Sequence, residues 1–372
     1  VQAGDDRLFG RRALDAIPPG PPIPQPGALA AELGVERVVG LSLNEGPFGP
    51  FSAALEAIAA ATPDLNRYPS RGAHDLTHAL ADRLAVTPDE VVVAAGADAV
   101  IGYVCQAGLE PDEEAVVPWP SFPSFVRDVQ KRGAHPVTVP LRAGAIDLEA
   151  TLAAVTARTR LVFVATPNNP TGLAVPRDDL RAFVDALPGH VLPVVDEAYV
   201  EYLEPGSGDA VADLLRPGRR VLAIRTFSKM YGLAGLRVGY GAGPADVIEA
   251  IRKVQRGFDV NTLGQVAALA SLGDDEEVAR RRAANRAAVA LLETTLRAHR
   301  LEPLAGSVAN FVLARVGPEA DALAAALRGR GVVVQPGAPF GAPGSLRITA
   351  GAADEVAVLD DALTAVGPIG ST

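Results

Sequence analysis

Cysteine and lysine are scarce in this 372-residue chain: cysteine occurs once, as Cys105, and lysine three times, as Lys131, Lys229 and Lys253. A single thiol excludes an intramolecular disulfide, and the surrounding Val104-Cys105-Gln106-Ala107 reads as core rather than as the setting of a nucleophile. A run of 18 or more apolar residues is also missing, so no membrane span is expected. The opening Val1-Gln2-Ala3-Gly4-Asp5-Asp6-Arg7 has no apolar segment or cleavage site; no secretory signal is expected, and a cytoplasmic location is. The formal charge of −10 excludes a general nucleic-acid binder, which needs concentrated Lys and Arg against the phosphate backbone. Internal repeats and low-complexity tails are absent.

What is present reads as a large α/β protein. Pro18-Pro19-Gly20-Pro21-Pro22-Ile23-Pro24 excludes helix and predicts an extended arm, either a floppy leader or one lying on the body or on a partner subunit. Beyond residue 90, continuous apolar runs alternate with helical stretches. Val91–Ala95, Ala115–Val117, Leu161–Ala165, Val191–Val195 and Val221–Ile224 are such runs, and Pro136–Val139 and Val238–Tyr240 complete the set. Strands of this kind are covered on both faces, which predicts a mostly parallel central sheet. After about residue 262 an Ala- and Arg-rich helical region runs to His299, broken near Gly273. A smaller α+β unit follows, with strands at Asn310–Leu313, Val332–Val334 and Leu346–Thr349 and a final helix. The expected organisation is an N-terminal arm and small-domain segment (1–45), a large domain (46–270) and a small C-terminal domain (271–372).

The chemistry-bearing residues gather at strand ends. Thr226-Phe227-Ser228-Lys229 follows an apolar strand, where burial lowers an amine's pKa and leaves it neutral for imine formation with an aldehyde. Arg237 lies further along, placed to hold a phosphate with the hydroxyls of Ser228 and Thr226. Asp196, in Val195-Asp196-Glu197-Ala198-Tyr199, ends another buried strand; a carboxylate there keeps a pyridine nitrogen protonated. Thr166-Pro167-Asn168-Asn169-Pro170-Thr171-Gly172 leaves a third strand, and Gly96-Ala97-Asp98 opens a helix whose first N–H groups suit a phosphate. Open α/β sheets bind ligands at such strand ends.

With Leu43-Asn44-Glu45-Gly46-Pro47-Phe48-Gly49-Pro50, Asn66-Arg67-Tyr68-Pro69 and Leu346-Arg347-Ile348-Thr349 added, the chain resembles a fold-type I pyridoxal-phosphate aminotransferase. The similarity is to the histidinol-phosphate and aromatic branch, and it runs from about Leu14 to the C-terminus. The resemblance implies pyridoxal 5′-phosphate as cofactor, carried by Lys229 as a Schiff base, with Lys229 then moving the proton between Cα and C4′. It implies that Asp196 pairs with the pyridine nitrogen, that Asn169 and Tyr199 bond the ring oxygen, and that Phe122 stacks on the ring. Ala97, Asp98, Ser228 and Arg237 would hold the phosphate, Thr226 lying beside them. Tyr68 would reach the phosphate of the neighbouring subunit, making a homodimer, and Arg347 would bind the substrate carboxylate. An amino acid and a 2-oxo acid are the implied substrates.

Three positions depart from the histidinol-phosphate pattern. Ile17 stands where a tyrosine precedes the proline segment, Gln335 stands where an arginine follows Val332-Val333-Val334, and Gly46 replaces an asparagine, widening that loop near the substrate. Losing a phenol and a guanidinium removes charge-assisted hydrogen bonds of roughly 1.5–3 kcal/mol each. A neutral, bulky or aromatic amino acid is therefore expected in preference to histidinol phosphate. A decarboxylase or oxidase on the same scaffold stays open, as does a non-catalytic regulator, although Lys229 and the lack of a helix-turn-helix before Leu43 speak against the latter. His74 and His78 read as a solvated helix face without a third metal ligand. Asp274-Asp275-Glu276-Glu277 reads as an acidic first helical turn, Trp119 as packing, and Gly239-Tyr240-Gly241-Ala242-Gly243 lacks the spacing of a dinucleotide fingerprint.

Overall fold

The computed structural model describes residues 9–20, 22–207, 214–215 and 219–367. The opening seven residues and Pro21 of the proline run lie outside the described residues.

The apolar runs fold as strands of one seven-stranded sheet. Its members are β2 (Val91–Ala94), β3 (Glu114–Trp119), β4 (His135–Pro140), β5 (Thr159–Ala165), β6 (Leu192–Asp196), β7 (Leu222–Thr226) and β8 (Gly239–Ala242), while β1 (Val39–Leu41) belongs elsewhere. The order is β2-β8-β7-β6-β5-β3-β4. Only β8 runs antiparallel to its neighbours, because β7 and β8 are joined by a hairpin-like return rather than a helical crossover. Every residue of β2 and β7 is buried, as the unbroken Val/Ile/Leu composition requires of strands with helices on both faces. On one face Phe125 stacks on Phe163 with ring centroids 4.7 Å apart, and Cys105 lies in the same apolar cluster. Burying each such ring contributes about 1.5–3 kcal/mol.

A second sheet is built from β9 (Glu302–Pro303), β10 (Phe311–Arg315), β11 (Val332–Pro336), β12 (Ser345–Thr349) and the early β1, in the order β1-β11-β12-β10-β9. β1 pairs in parallel with β11, Val39 opposite Val332, so a segment before the large sheet is stitched into the sheet that follows it. The consequence for function is direct: the chain leaving β1 at Leu41 passes at once into Leu43-Asn44-Glu45, which lie over the strand ends of the larger sheet.

The long helix Asp275–Ala298 links the two sheets. Asp274 caps it by accepting the Glu277 N–H at 3.0 Å, and acidic residues fill the first turn, as the sequence predicts. Arg281 of this helix donates to Glu277, to the Met230 carbonyl and to the Gly49 carbonyl. The N-terminal region differs from the sequence expectation in one respect. The described prolines between 18 and 24 lie outside any helix or strand, but Pro26–Leu33 is a helix, ended by Gly34 in the left-handed conformation. A proline at its first position is compatible with helix, since that N–H has no helical partner. His74 and His78 are exposed on one helix with rings 4.2 Å apart, and no metal-binding cluster occurs among the described residues. No helix among them is long and apolar enough to cross a membrane.

Candidate active site

Four strand ends and one segment of the small sheet enclose a cavity of about 390 Å³. β7 delivers Thr226, Ser228 and Lys229. The Lys229 Nζ donates to the Leu43 carbonyl at 2.8 Å, so the amine is held between the two sheets. Loss of water around it, then the nearby Arg347 guanidinium, lower its pKa to about 7. Glu45 and Asp196 act in the opposite sense without restoring the ordinary value.

β6 ends at Asp196, whose Oδ1 accepts the Ala198 N–H at 3.0 Å. Burial pushes this carboxyl up to about 7, and the neighbouring Glu197 and Asp98 push the same way. Glu197 itself is fully buried and paired with Arg225 at 2.9 Å. Just beyond Asp196 in the chain, the Tyr199 hydroxyl accepts a hydrogen bond from Asn44 Nδ2 at 2.8 Å, and burial raises its pKa.

β5 leads into Thr166 and a cis peptide to Pro167. The two asparagines that follow divide their work. Asn168 Oδ1 accepts from the Ser121 hydroxyl at 2.8 Å, and its Nδ2 donates to the Pro120 carbonyl at 3.1 Å, which fixes the turn. Asn169 faces the cavity, where its Oδ1 accepts from Arg347 Nη1 at 2.6 Å. This leaves the amide nitrogen of Asn169 to donate to a ligand.

Beyond β2, Gly96 turns the chain at φ +93°, and the helix Ala97–Gly108 starts without a side-chain cap. A Cβ at Gly96 would lie 2.7 Å from Arg237 Nη2, so only glycine lets that guanidinium approach the helix start. Arg237 Nη1 donates to the Ala234 carbonyl at 3.0 Å and to Ser228 Oγ at 3.3 Å. Uncapped N–H groups, a hydroxyl and a guanidinium thus converge on one corner, the donor set of a phosphate site.

Arg347 on β12 forms the opposite wall. Its guanidinium lies 4.5 Å from the Phe340 ring and 5.6 Å from Phe311, and donates to the Ser42 carbonyl as well as to Asn169. Its Nε is buried without a hydrogen bond among the described residues, an orphaned donor at a cavity wall. Burial lowers its pKa to about 10, so it stays charged at neutral pH.

Of the residues singled out in the sequence, Ala97, Asp98, Phe122, Asn169, Asp196, Tyr199, Thr226, Ser228, Lys229, Arg237, Gln335 and Arg347 all line this cavity. Gly46 does not; it lines a neighbouring one. Tyr68 is 82% exposed, stacked on Phe258 at 4.8 Å, and reaches no part of its own chain's cavity. Ile17 is half-buried and also outside it, and Trp119 packs against the Gly341 backbone rather than lining the cavity. Sequence reasoning missed Asn44, the Leu43 carbonyl and Phe340. Asn44 stands in the Leu43–Pro50 motif, where an asparagine among glycines and prolines was the available signal; in the structure it adopts φ +55°, a conformation asparagine tolerates better than most residues.

Residues 36–366 match the family model described as aminotransferase class I and II. The chain is 42% identical over 354 residues to an aromatic amino acid aminotransferase of Thermobifida fusca (strain YX), covering 93% of each. It is 41% identical to histidinol-phosphate aminotransferase 1 of Thiobacillus denitrificans, covering 95% of this chain and 91% of that one. Its structure superposes with a TM-score of 0.86 on histidinol-phosphate aminotransferase from Sinorhizobium meliloti in complex with pyridoxal-5′-phosphate, at 28% identity, covering 98% of this chain and all of the other. The sheet order, the strand-end lysine and the match along nearly the whole chain agree: this chain belongs to the class I and II aminotransferases.

Proposed function

We propose that this aminotransferase holds pyridoxal 5′-phosphate on Lys229 and moves an amino group between an L-amino acid with an aromatic or bulky neutral side chain and a 2-oxo acid. The observation that carries the reading is the pairing of a near-neutral amine with a buried, cavity-facing carboxyl, Lys229 and Asp196. The residues fit the cofactor. Asp196 accepts one backbone N–H and otherwise faces the cavity, where a protonated ring nitrogen would supply the cation its burial lacks. The corner formed by the Ala97 helix start, Ser228 and Arg237 suits the phosphate, and Phe122 gives the ring an aromatic wall.

When bound, the cofactor supplies a protonated ring that takes up the electron pair released at the substrate Cα. The chain's own residues do the rest. Arg347 binds the substrate carboxylate, using donors left over from Asn169 and Ser42. Lys229, its pKa lowered to about 7 so that a large fraction is neutral near that pH, takes the Cα proton and returns it. Asn44 holds the Tyr199 hydroxyl in place to donate to the ring oxygen beside Asn169.

The substrate class rests on Gln335, which lines the cavity and carries no charge, and on Phe340, whose ring covers Arg347. The aromatic amino acid aminotransferase relative points the same way. Histidinol phosphate is the second reading, favoured by the similarly identical Thiobacillus relative. Tyr68 and Phe258, both exposed and stacked on one another, support a homodimer in which Tyr68 serves the partner's cavity. The division at residues 45 and 270 into arm, large and small domains, and a cytoplasmic location, belong to the same proposal.

The test is to mix holoenzyme with phenylalanine, tyrosine, glutamate, arginine and histidinol phosphate singly, following the visible absorbance of the lysine-bound cofactor and identifying products by mass. Conversion by phenylalanine or tyrosine with the matching 2-oxo acid is expected. Faster conversion by histidinol phosphate overturns the substrate reading. Release of carbon dioxide or peroxide overturns transamination, and equal spectra for wild type and Lys229→Ala overturn the role of Lys229.

A further inference from the structure

A second cavity, of about 400 Å³, lies beside the catalytic one, and Lys229 is the one residue lining both. Its walls come from the 46–48 segment, from one face of the long helix Asp275–Ala298 and from residues 350–353 after β12. They are largely apolar, with Met230, Ala284, Ala288 and Leu291 among them. The volume lies within the range of small-molecule sites.

Three observations define what it takes. Tyr202 is only 7% exposed and lines the cavity, yet its hydroxyl makes no hydrogen bond among the described residues. This hydroxyl is open to the cavity and offers an occupant one donor and one acceptor. Next, the one charged side chain of the wall besides Lys229 is already satisfied, since Arg281 is paired with Glu277 and also donates to the Met230 and Gly49 carbonyls. The cavity therefore calls for no anion. Finally, the side chain missing at Gly46 opens space on this side and not in the catalytic cavity. A Cβ there would lie 3.8 Å from the Lys229 carbonyl oxygen and 3.9 Å from the Tyr202 hydroxyl. The asparagine expected at this position would project towards that hydroxyl and occupy part of the space.

We propose that this second cavity is a binding site for an uncharged, largely apolar small molecule carrying one hydrogen-bonding group, which the Tyr202 hydroxyl receives. The site abuts the main chain of Lys229 and touches the 46–48 segment, the long helix and the strand end after Arg347, so an occupant fixes their spacing. It is distinct from the amino-acid site, and its existence does not depend on the transamination reading.

The test uses 4-methylphenol as probe on the purified holoenzyme, followed by ligand-detected NMR and calorimetry. One saturable site per chain is expected. Ala288→Phe fills the cavity from the long helix and weakens binding by at least about tenfold, while the visible absorbance of the bound cofactor and the melting temperature stay as in wild type. Leu291→Trp serves the same purpose should Ala288→Phe not fold. Tyr202→Phe weakens 4-methylphenol but leaves toluene unaffected. Three results overturn the proposal: no saturable binding to wild type, binding unchanged in both filling variants, or binding abolished by Phe340→Ala in the catalytic cavity and retained in the filling variants. An equal effect of Tyr202→Phe on 4-methylphenol and toluene overturns the assigned role of the hydroxyl.

Discussion

The Asn44 Nδ2 donates to the Tyr199 hydroxyl at 2.8 Å, tying the chain that leaves β1 to the turn that leaves β6. Asn44 is itself fixed on both sides, its N–H donating to Thr349 Oγ1 at 3.0 Å and its carbonyl accepting from Asn310 Nδ2 at 3.0 Å. One buried amide thus holds the small sheet, the long N-terminal connection and a cavity phenol in a single geometry. Asn44→Ala is expected to lower stability by about 1–3 kcal/mol, since it strips a buried hydroxyl of its donor and leaves a left-handed residue less well suited. Denaturant titration of the holoenzyme measures this, and kcat/KM should fall with it by tenfold or more. Unchanged kcat/KM would separate Asn44 from the placement of Tyr199.

The pH behaviour of the apoenzyme follows from Lys229 and Asp196. With the amine's pKa near 7, its neutral fraction grows as pH rises through 7. The rate at which apoenzyme takes up cofactor onto Lys229 should rise over the same interval and level off above it. A rate still climbing towards pH 10 would mean an ordinary lysine. Asp196 shifts the other way, its folded pKa raised to about 7. Its contribution to stability is complete below the unfolded carboxyl pKa, near 4, and is lost as pH rises through 7. Asp196→Asn should therefore stabilise the apoenzyme at pH 8 by about 2–4 kcal/mol, with no gain below pH 4, while weakening cofactor retention. Thermal melts at the two pH values check the sign.

Arg347 is held by stacking as much as by hydrogen bonds, its guanidinium lying against the Phe340 and Phe311 rings while it donates to Asn169. A lysine keeps the charge but neither the planar stack nor the fork. Arg347→Lys is expected to cut kcat/KM for the amino acid about a hundredfold, mainly through KM, and to leave the visible absorbance of the bound cofactor intact. Loss of the absorbance would move Arg347 from substrate to cofactor binding.

The strands of the large sheet are legible in the sequence because burial on both faces leaves unbroken runs such as Leu161–Ala165, and strand ends then predict where Lys229, Asp196 and Asn169 converge. Other features are not legible because their cause is distant. Asn44 acquires its importance from Thr349 and Asn310, far along the chain. Gly46 sits in the motif expected at the substrate, but the direction of its missing side chain depends on where Tyr202 and the Lys229 carbonyl fall. The helix Pro26–Leu33 follows directly on a proline run, and a proline at its first position looks like continued interruption when it is a permitted start. Tyr68 faces away from its own chain's cavity, so the role expected of it turns on a second chain.

Gln335 and Arg347 face one another as partners across β11 and β12, and both line the catalytic cavity. This places position 335 beside the guanidinium proposed to bind the substrate carboxylate, where it would read the other end of a short substrate. The Gln335 Nε2 now donates to the Pro336 carbonyl at 3.0 Å, so the amide is turned into its own strand rather than offered as a charge. Gln335→Arg would set a second guanidinium opposite Arg347, at a cost from like charges directly across a strand pair, and would supply a bidentate donor for phosphate. The expected outcome is a rise of about tenfold or more in kcat/KM for histidinol phosphate and a fall for phenylalanine, seen in the same steady-state assay. A rise for both substrates would mean that the substitution changes the cavity's shape rather than its charge. No gain for the phosphate ester would show that position 335 does not set the choice of substrate.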